Sequence, residues 1–224
     1  MYIFLFVAIA IISYVVQSSL KNKFANYSKI PIDSGMTGAQ VAEKMLHDNG
    51  IYNAKITQIE GQLTDHYNPT NLTVNLSRGV YYGNSIASAA VAAHECGHAV
   101  QHATKYSFLQ LRSNLVPAVN FASNIMPWVL LAGIALIQVF PGLLLLGIVL
   151  YAITTLFSFV TLPVEIDASK RALAWLSNSG MARPDLYGKA KDALTSAAYT
   201  YVVAALSSLA TLIYYIFIFL GRRD

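Results

Sequence analysis

Charged residues are scarce in this sequence: Asp, Glu, Lys and Arg make up only 12% of its 224 residues, whereas 55% are hydrophobic. The apolar runs are too long for the core of an ordinary soluble domain, so the composition predicts a membrane protein. Cysteine is nearly absent, because Cys96 is the only one, and this excludes an intramolecular disulfide. The net charge of +4 comes without a cluster of basic and aromatic residues. It therefore favours anionic lipid headgroups, and not nucleic acid, as a partner.

Four apolar segments are each long enough to cross a hydrocarbon core of about 30 Å. They comprise residues 2–20, 115–137, 141–161 and 198–220. The first segment lacks a positively charged start and a small-residue cleavage site, so we expect a retained anchor and not a signal peptide. The second and third should form a hairpin around the turn at residues 138–140. The sequence therefore predicts an integral membrane protein that crosses the bilayer several times.

The polar stretch between the first two spans, residues 21–114, is long enough for a small α+β domain. Helical spacing of apolar residues predicts a helix at 37–49, which ends at Gly50. Residues 54–59 and 72–76 alternate with a period of two, which predicts two strands joined as a β-hairpin or small sheet. The other predicted units are the anchor at 1–20, the hairpin at 115–161, a helical linker at 162–197, and the last span with a basic end at 198–224.

The five residues His94–His98, with the sequence HECGH, form the most informative motif, and they lie in a run of small, helix-tolerant residues at 85–103. On a helix, histidines four positions apart face the same way. Each can bind one Zn²⁺ through a ring nitrogen, and Glu95 can act as general base on a water. Gly97 leaves room for a neighbouring chain, and Cys96 should point away from the histidines and pack as a small buried residue. Two helix histidines with ordinary surface or core roles are the alternative.

A hydrolytic zinc site needs one more protein ligand, because catalytic zinc keeps three and leaves its fourth position to water. Our candidate is Glu165, which follows a long apolar run where Pro163 can open a new helix. The alternative for Glu165 is an acidic residue near a helix start that only complements the helix dipole. The same alternative applies to Asp167. Asp167 is a candidate for orienting a ligating imidazole. His102 is a second candidate for this role, because as a fourth ligand it would close the water position.

Several separated motifs, in this order along the chain, resemble one known family. They are residues 65–69 (DHYNP), 72–77 (LTVNLS), 92–101 (AAHECGHAVQ) and 162–169 (LPVEIDAS). Together they resemble the bacterial membrane-embedded neutral zinc metallopeptidases of the YugP type, and the likeness extends over nearly the whole chain. The resemblance implies a zinc-dependent peptidase in the bacterial cell membrane, with His94, Glu95 and His98 at its active site.

A more distant likeness is to gluzincin membrane proteases, whose third zinc ligand lies in a Glu-x-x-Ala-Asp pattern. Residues 165–168 fit this pattern, whereas Ser169 stands where that group has aspartate. The departure leaves open which residue supports the second histidine, and Asp167 is one alternative.

The strand before the motif helix is our candidate for binding substrate. In metallopeptidases of this build an edge strand beside that helix pairs with extended substrate, and Leu72, Val74 and Leu76 lie in the nominated segment. An ordinary structural strand fits the pattern equally well. His66 is a further candidate for a substrate contact, with an ordinary turn residue as its alternative.

Polar side chains also occur in or near the spans. Tyr199 and Tyr201 could stabilise a tetrahedral intermediate, although tyrosine is common at membrane interfaces. Asn114, Asn120 and Asn124 would be costly facing lipid. We therefore expect their face of the second span to point inward, as packing contacts or as a polar wall under the zinc site.

The distribution of positive charge predicts which side of the membrane holds the motif. Of the 15 Lys and Arg residues, all but Arg222 and Arg223 fall within 21–112 and 170–191, which an even number of spans places on one side. The positive-inside rule makes that side cytoplasmic, whereas the two carboxy-terminal arginines argue for the opposite orientation.

These observations predict a mainly α membrane protein with about four transmembrane helices and a small zincin-like α+β domain. The predicted activity is that of a metalloendopeptidase with one Zn²⁺ that hydrolyses membrane-associated proteins or peptides. The alternative is a non-catalytic scaffold or chaperone-like membrane protein with a structural or vestigial metal, in which His102 is a fourth ligand. The oligomeric state is left open.

Overall fold

The computed structural model describes residues 2–221, except for the side chain of Tyr2. Within this range seven helices and three short strands form a mainly α protein with one small sheet, which confirms the predicted fold class. The elements in chain order are α1 (Tyr2–Tyr27), α2 (Gly38–Asp48), β1 (Lys55–Ile59), β2 (His66–Asn68), β3 (Thr73–Ser77), α3 (Arg78–Tyr81), α4 (Ile86–Ala103), α5 (Ser107–Ala135), α6 (Pro141–Asn178) and α7 (Pro184–Gly221). The predicted basic end with Arg222 and Arg223 lies outside the described residues.

Four helices, α1, α5, α6 and α7, are long and apolar enough to cross a membrane, judged by length and composition. α6 and α7 have 38 residues each. At 1.5 Å per residue that is about 57 Å, well above the ~30 Å of a hydrocarbon core. The predicted spans at 141–161 and 198–220 are therefore parts of longer helices, and the other half of each helix extends into the polar domain.

Pro163 does not open a helix, contrary to the prediction, because it lies inside α6. Proline removes one backbone hydrogen bond, but membrane-spanning helices tolerate it where neighbouring groups compensate. α6 consequently runs without a break from the third apolar span through Glu165. Glu165 is thus joined to that span by continuous helix and does not lie in a first turn.

The sheet has the strand order β1-β3-β2, so of the two predicted alternatives the small sheet is confirmed and the hairpin is wrong. β1 and β3 pair in parallel, from Lys55 opposite Thr73 to Ile59 opposite Ser77. The short strand β2 pairs antiparallel with the other side of β3. Parallel neighbours need a long connection, and here that connection contains β2. β3 is therefore the central strand, and β1 and β2 are the edges.

α4 lies in the main hydrophobic core, and its many alanines allow other elements to pack closely against it. The core also contains buried side chains of α2, β3, α6 and α7, among them Val41, Met45, Val74, Leu76, Leu176 and Leu194. The polar halves of α6 and α7 thus share a core with residues 21–114, and the positions of Glu165 and of α4 are fixed by the same packing.

The asparagines of α5 lie on the surface of the chain, so the prediction that their face points inward is wrong for a single copy. Asn114, Asn120 and Asn124 are all exposed. α5 instead packs against α6 through Gly133, where an added Cβ would lie 2.6 Å from the Cα of Leu144. Small residues permit such close approach between membrane helices, and they select the face of α5 that is buried.

Candidate metal centre

α4 carries the two histidines of the motif and begins at a capped turn. Ser85 is the N-cap, and its Oγ accepts a hydrogen bond from the N–H of Ser88. The helix then continues through Ala103. His94 and His98 therefore lie one turn apart on the same face, with 4.8 Å between their ring centroids.

Gly97 brings α6 into contact with α4 at the level of the histidines. A Cβ at this position would lie 2.6 Å from the backbone oxygen of Ala168, and Cβ atoms essentially never come within 3.0 Å of a non-bonded atom. Ala168 lies one turn after Glu165 on α6, so the contact holds Glu165 opposite the histidine pair. The predicted role of Gly97, to leave room for a neighbouring chain, agrees with this geometry.

Glu165 completes a cluster of three metal-binding side chains. Its Oε2 lies 3.2 Å from Nε2 of His94 and 3.6 Å from Nε2 of His98. The ligand atoms of all three residues lie within 4.8 Å of one another. Donor atoms at ~2.0–2.1 Å from a tetrahedral zinc ion are about 3.3 Å apart, so the two distances from Glu165 fit a zinc ion. Two imidazoles and one carboxylate are also a donor set that catalytic zinc sites use.

The second ring nitrogen of each histidine has its own polar partner. Oγ of Ser169 lies 3.1 Å from Nδ1 of His94, and Oε1 of Gln101 lies 3.0 Å from Nδ1 of His98. An amide oxygen only accepts, so Nδ1 of His98 donates to Gln101, and Nε2 is the ring nitrogen that faces Glu165 and is available to bind a metal. Ser169, which departs from the aspartate of the more distant pattern, thus contacts the first histidine.

Gln101 connects His98 to α6. Its Nε2 donates to the backbone oxygen of Val164 and to Oδ2 of Asp167, both at 2.8 Å. Nε of Arg171 also donates to Oδ2 of Asp167, at 2.6 Å. Asp167 therefore acts on His98 through Gln101, and not by the direct contact that the sequence suggested.

Arg112 pairs with the other oxygen of Glu165, which leaves Oε2 to face the histidines. One guanidinium nitrogen of Arg112 donates to Oε1 of Glu165 at 3.2 Å.

Burial acts to lower the pKa of His98, but the hydrogen bond and charge of Glu165 outweigh it and raise that pKa. The negative potential that stabilises an imidazolium here also stabilises a bound divalent cation.

Glu95 lines the space beside the metal cluster, although only 7% of the residue is exposed. Burial raises the pKa of Glu95, against the lowering effect of His94 and His98. A raised pKa suits a carboxylate that must accept a proton near neutral pH.

Cys96 is buried in the core, where Sγ lies 3.5 Å from the backbone oxygen of Ala42 and burial raises the pKa of its thiol. Its predicted packing role is confirmed.

A cavity of about 230 Å³ opens in front of the metal cluster. Besides the cluster it is lined by Asp65, His66, Tyr67, Pro69, Glu95, Leu109, Arg112, Ser113, Val116 and Tyr201. The ring of His66 is fixed there, with Nδ1 at 2.9 Å from the backbone oxygen of Thr64 and Nε2 at 3.3 Å from Nδ2 of Asn75. Of the two tyrosines that were candidates for stabilising a tetrahedral intermediate, Tyr201 lines the cavity. Tyr199 does not line it and is 58% exposed elsewhere on α7.

The β3 residues nominated for substrate binding do not reach this cavity. Val74 and Leu76 are fully buried in the core, and Leu72 precedes β3. The edge next to the cavity belongs to β2, which contributes His66 and Tyr67 to its wall. The prediction of an edge strand at 72–76 is therefore wrong, because β2 pairs with the side of β3 that was expected to be free.

His102 does not join the metal cluster. It is exposed, and its Nδ1 lies 2.9 Å from the hydroxyl of Tyr67, so it contacts the cavity wall. Within residues 2–221 the cluster contains the three side chains of His94, His98 and Glu165. The fourth ligand that a closed structural zinc site requires is thus not supplied by His102.

Two histidines and a distant glutamate around one point, with a second glutamate next to the first histidine, are typical of zinc metallopeptidases. The family described as "Putative neutral zinc metallopeptidase" matches residues 2–220, and the chain belongs to this family. It is similar to the "Putative membrane protease YugP" of Bacillus subtilis (strain 168), with 42% identity over 224 residues, covering 100% of this chain and 99% of the relative. No solved structure gives a significant match.

Proposed function

We propose that the protein is a zinc-dependent metalloendopeptidase that hydrolyses peptide bonds of membrane-associated proteins or peptides. The observation that carries this proposal is the convergence of His94, His98 and Glu165 on one point beside Glu95. A zinc ion bound there supplies a Lewis acid that polarises the scissile carbonyl and lowers the pKa of water. The type, number and spacing of the three donors fit this ion.

Glu95 is the general base of the proposed reaction. Its carboxylate takes a proton from the attacking water and later delivers it to the leaving amine. A covalent acyl-enzyme is not part of the proposal, because water is the attacking nucleophile; the single thiol, that of Cys96, is buried in the core.

Arg112 and Tyr201 are the proposed donors to the carbonyl oxygen as it becomes negative. Both line the cavity, and a fixed N–H or O–H donor aimed at a developing oxyanion lowers the barrier. His66 is less suited to this role. Its Nδ1 donates to Thr64 and its Nε2 accepts from Asn75, so no N–H remains for substrate. We assign His66 to the wall that contacts the substrate chain.

The substrate chain is proposed to pair with the outer edge of β2. An extended peptide added to a sheet edge gains backbone hydrogen bonds, whatever its side chains. β2 is the edge strand that lines the cavity, so a peptide beside it would run past the metal cluster.

The proposed substrate class follows from the position of the site along the four long helices. Glu165 comes directly after the apolar half of α6, and Tyr201 comes near the start of the apolar half of α7. Arg112 lies in the second turn of α5. All three residues thus lie where an apolar segment begins or ends, which supports a site near the bilayer surface. The four long apolar helices support a multi-pass protein of the bacterial cell membrane, and the clustered Lys and Arg residues support a site on the cytoplasmic side.

The test is a comparison of Glu95→Gln with Glu43→Gln, an exposed glutamate on α2. With purified full-length protein, Glu95→Gln should retain zinc and lose ~10²–10⁴-fold in peptide hydrolysis, whereas the control should change neither. Proteomic comparison of cells that express each variant should find uncut proteins only with Glu95→Gln. Full activity of Glu95→Gln would show that the proposed chemistry is wrong.

A further inference from the structure

A second cavity, of about 250 Å³, lies beside the metal cluster and is bounded by α1 and α7. It shares Asp65, His94, Glu95 and Tyr201 with the first cavity, so the two meet at these four residues. Because Glu95 is the proposed base and lines both cavities, a bond that is cut beside it lies next to both. The residues on the two sides of that bond can then extend into different cavities.

The walls of the two cavities differ in chemistry. Beyond the shared residues, the first cavity contains the polar side chains of His66, Arg112 and Ser113. The second is lined mainly by apolar side chains. These include Leu20, Phe24, Leu63, Val91, Leu194 and Ala197, and Gln17 and Thr200 are its polar members outside the shared set.

Polar contacts outside the second cavity hold its two membrane helices together. Nζ of Lys23 donates to Oδ1 of Asp192 at 2.7 Å and to Oγ of Ser196 at 2.9 Å. The hydroxyl of Tyr27 donates to Oδ2 of Asp192 at 2.7 Å. α1 is thus fixed against α7 by side chains of the same turns that supply Phe24, Leu194 and Ala197 to the wall.

Leu63 contributes to the cavity wall from the loop before β2. It has a φ of 57°, in the left-handed region that residues with a Cβ rarely adopt. Such a conformation persists where the surrounding fold holds it, and here it places an apolar side chain on the cavity wall.

We propose that this second cavity is a specificity pocket for a large apolar side chain on a residue adjoining the cleaved bond. The inference rests on the proposed peptidase function and adds a substrate preference to it. An apolar side chain gains free energy on leaving water for such a pocket, whereas a charged one is disfavoured. α1 is thereby part of the substrate site as well as an apolar helix long enough to span the membrane.

The first experiment measures cleavage of a library of blocked peptides in which the residues on both sides of the cut vary. The wild type should prefer Leu or Phe over Gly at one of these two positions by about tenfold or more in kcat/KM. Ala197→Leu narrows the pocket and should shift the preference towards small side chains. Phe24→Ala widens it and should shift the preference towards larger ones. Leu111→Ala, an exposed residue of α5, is the control and should change nothing.

The second experiment tests binding without cleavage. Library peptides that carry a photoreactive leucine at either position are cross-linked to the Glu95→Gln protein, and the cross-linked residues are identified by mass spectrometry. Cross-links to Leu20, Phe24 or Ala197 support the pocket, even if the wild type cleaves no peptide and the proposed function fails. Cleavage with preferences that neither pocket variant alters, or cross-links only to the first cavity, would overturn the pocket and leave the peptidase function intact.

Discussion

Replacing Gly97 with alanine should force α4 and α6 apart and weaken zinc binding. The new Cβ would lie 2.6 Å from the backbone oxygen of Ala168, whereas ordinary contacts begin at 3.4 Å. The neighbour is backbone and cannot rotate away, so the helices must separate by about 0.8 Å to restore an ordinary contact. Metal–ligand distances tolerate only about 0.2 Å. Glu165 lies one turn from Ala168, so the separation acts directly on the third ligand.

We expect the zinc affinity of Gly97→Ala to fall by roughly 10–100-fold, the range seen when the support of a ligand is disturbed. Overpacking of this kind also costs about 1–3 kcal/mol of stability, which lowers Tm. Affinity is measured on detergent-purified protein by competition with a chromophoric zinc chelator. Gly188→Ala on α7 is the matched control, since a Cβ there meets nothing within 4 Å. Wild-type zinc affinity in folded Gly97→Ala would refute the reasoning.

Two further predictions concern the polar groups around the cluster. Gln101→Leu removes the acceptor for Nδ1 of His98 and should reduce zinc affinity by about 10–100-fold in the same competition assay. The control is Gln110→Leu, on the exposed surface of α5, which should leave zinc affinity unchanged. Equal affinities in the two variants would argue against an orienting role for Gln101. The deprotonated form of Glu95 is the active base, so kcat/KM should fall as pH is lowered through its pKa. Because burial raises that pKa, the fall should begin above the ordinary range of glutamate, in a profile recorded with zinc content measured at each pH. An acid limb at the pH of an exposed glutamate would contradict this environment for Glu95.

Much of the site could be predicted from sequence because its main parts have local signals. His94, Glu95 and His98 lie within one helix, so their spacing alone places them together. Glu165 was identified from an acidic residue directly after an apolar run, which is costly to leave without a partner. The four apolar spans are recognisable for the same reason, since length and composition define them.

The residues that support the cluster have no comparable signal. Gln101 contacts Asp167 across 66 positions and Arg112 contacts Glu165 across 53, and neither pair has a fixed spacing that sequence could reveal. A hydrogen bond between side chains so far apart is decided by the packing of α4, α5 and α6. The local signal that Gln101 offers is its position three residues after His98 and seven after His94, on the face of α4 that carries both histidines.

The sheet was predicted in its two longer strands but not in its pairing. β2 has only three residues, too few to show an alternation of apolar and polar positions. Without it, β1 and β3 look like the two arms of a hairpin. The inserted strand changes both the direction of the β1–β3 pair and the identity of the edge beside the cavity.

The most direct test of the account is the zinc content of the purified full-length protein, combined with X-ray absorption spectroscopy at the zinc edge. The wild type and His102→Ala should each hold one zinc ion per chain, bound by two imidazoles and oxygen ligands. His98→Ala and Glu165→Ala should lose most of it under the same conditions. Absence of zinc from metal-replete wild type, or its full retention in both ligand variants, would contradict the assignment of His94, His98 and Glu165 as one metal site.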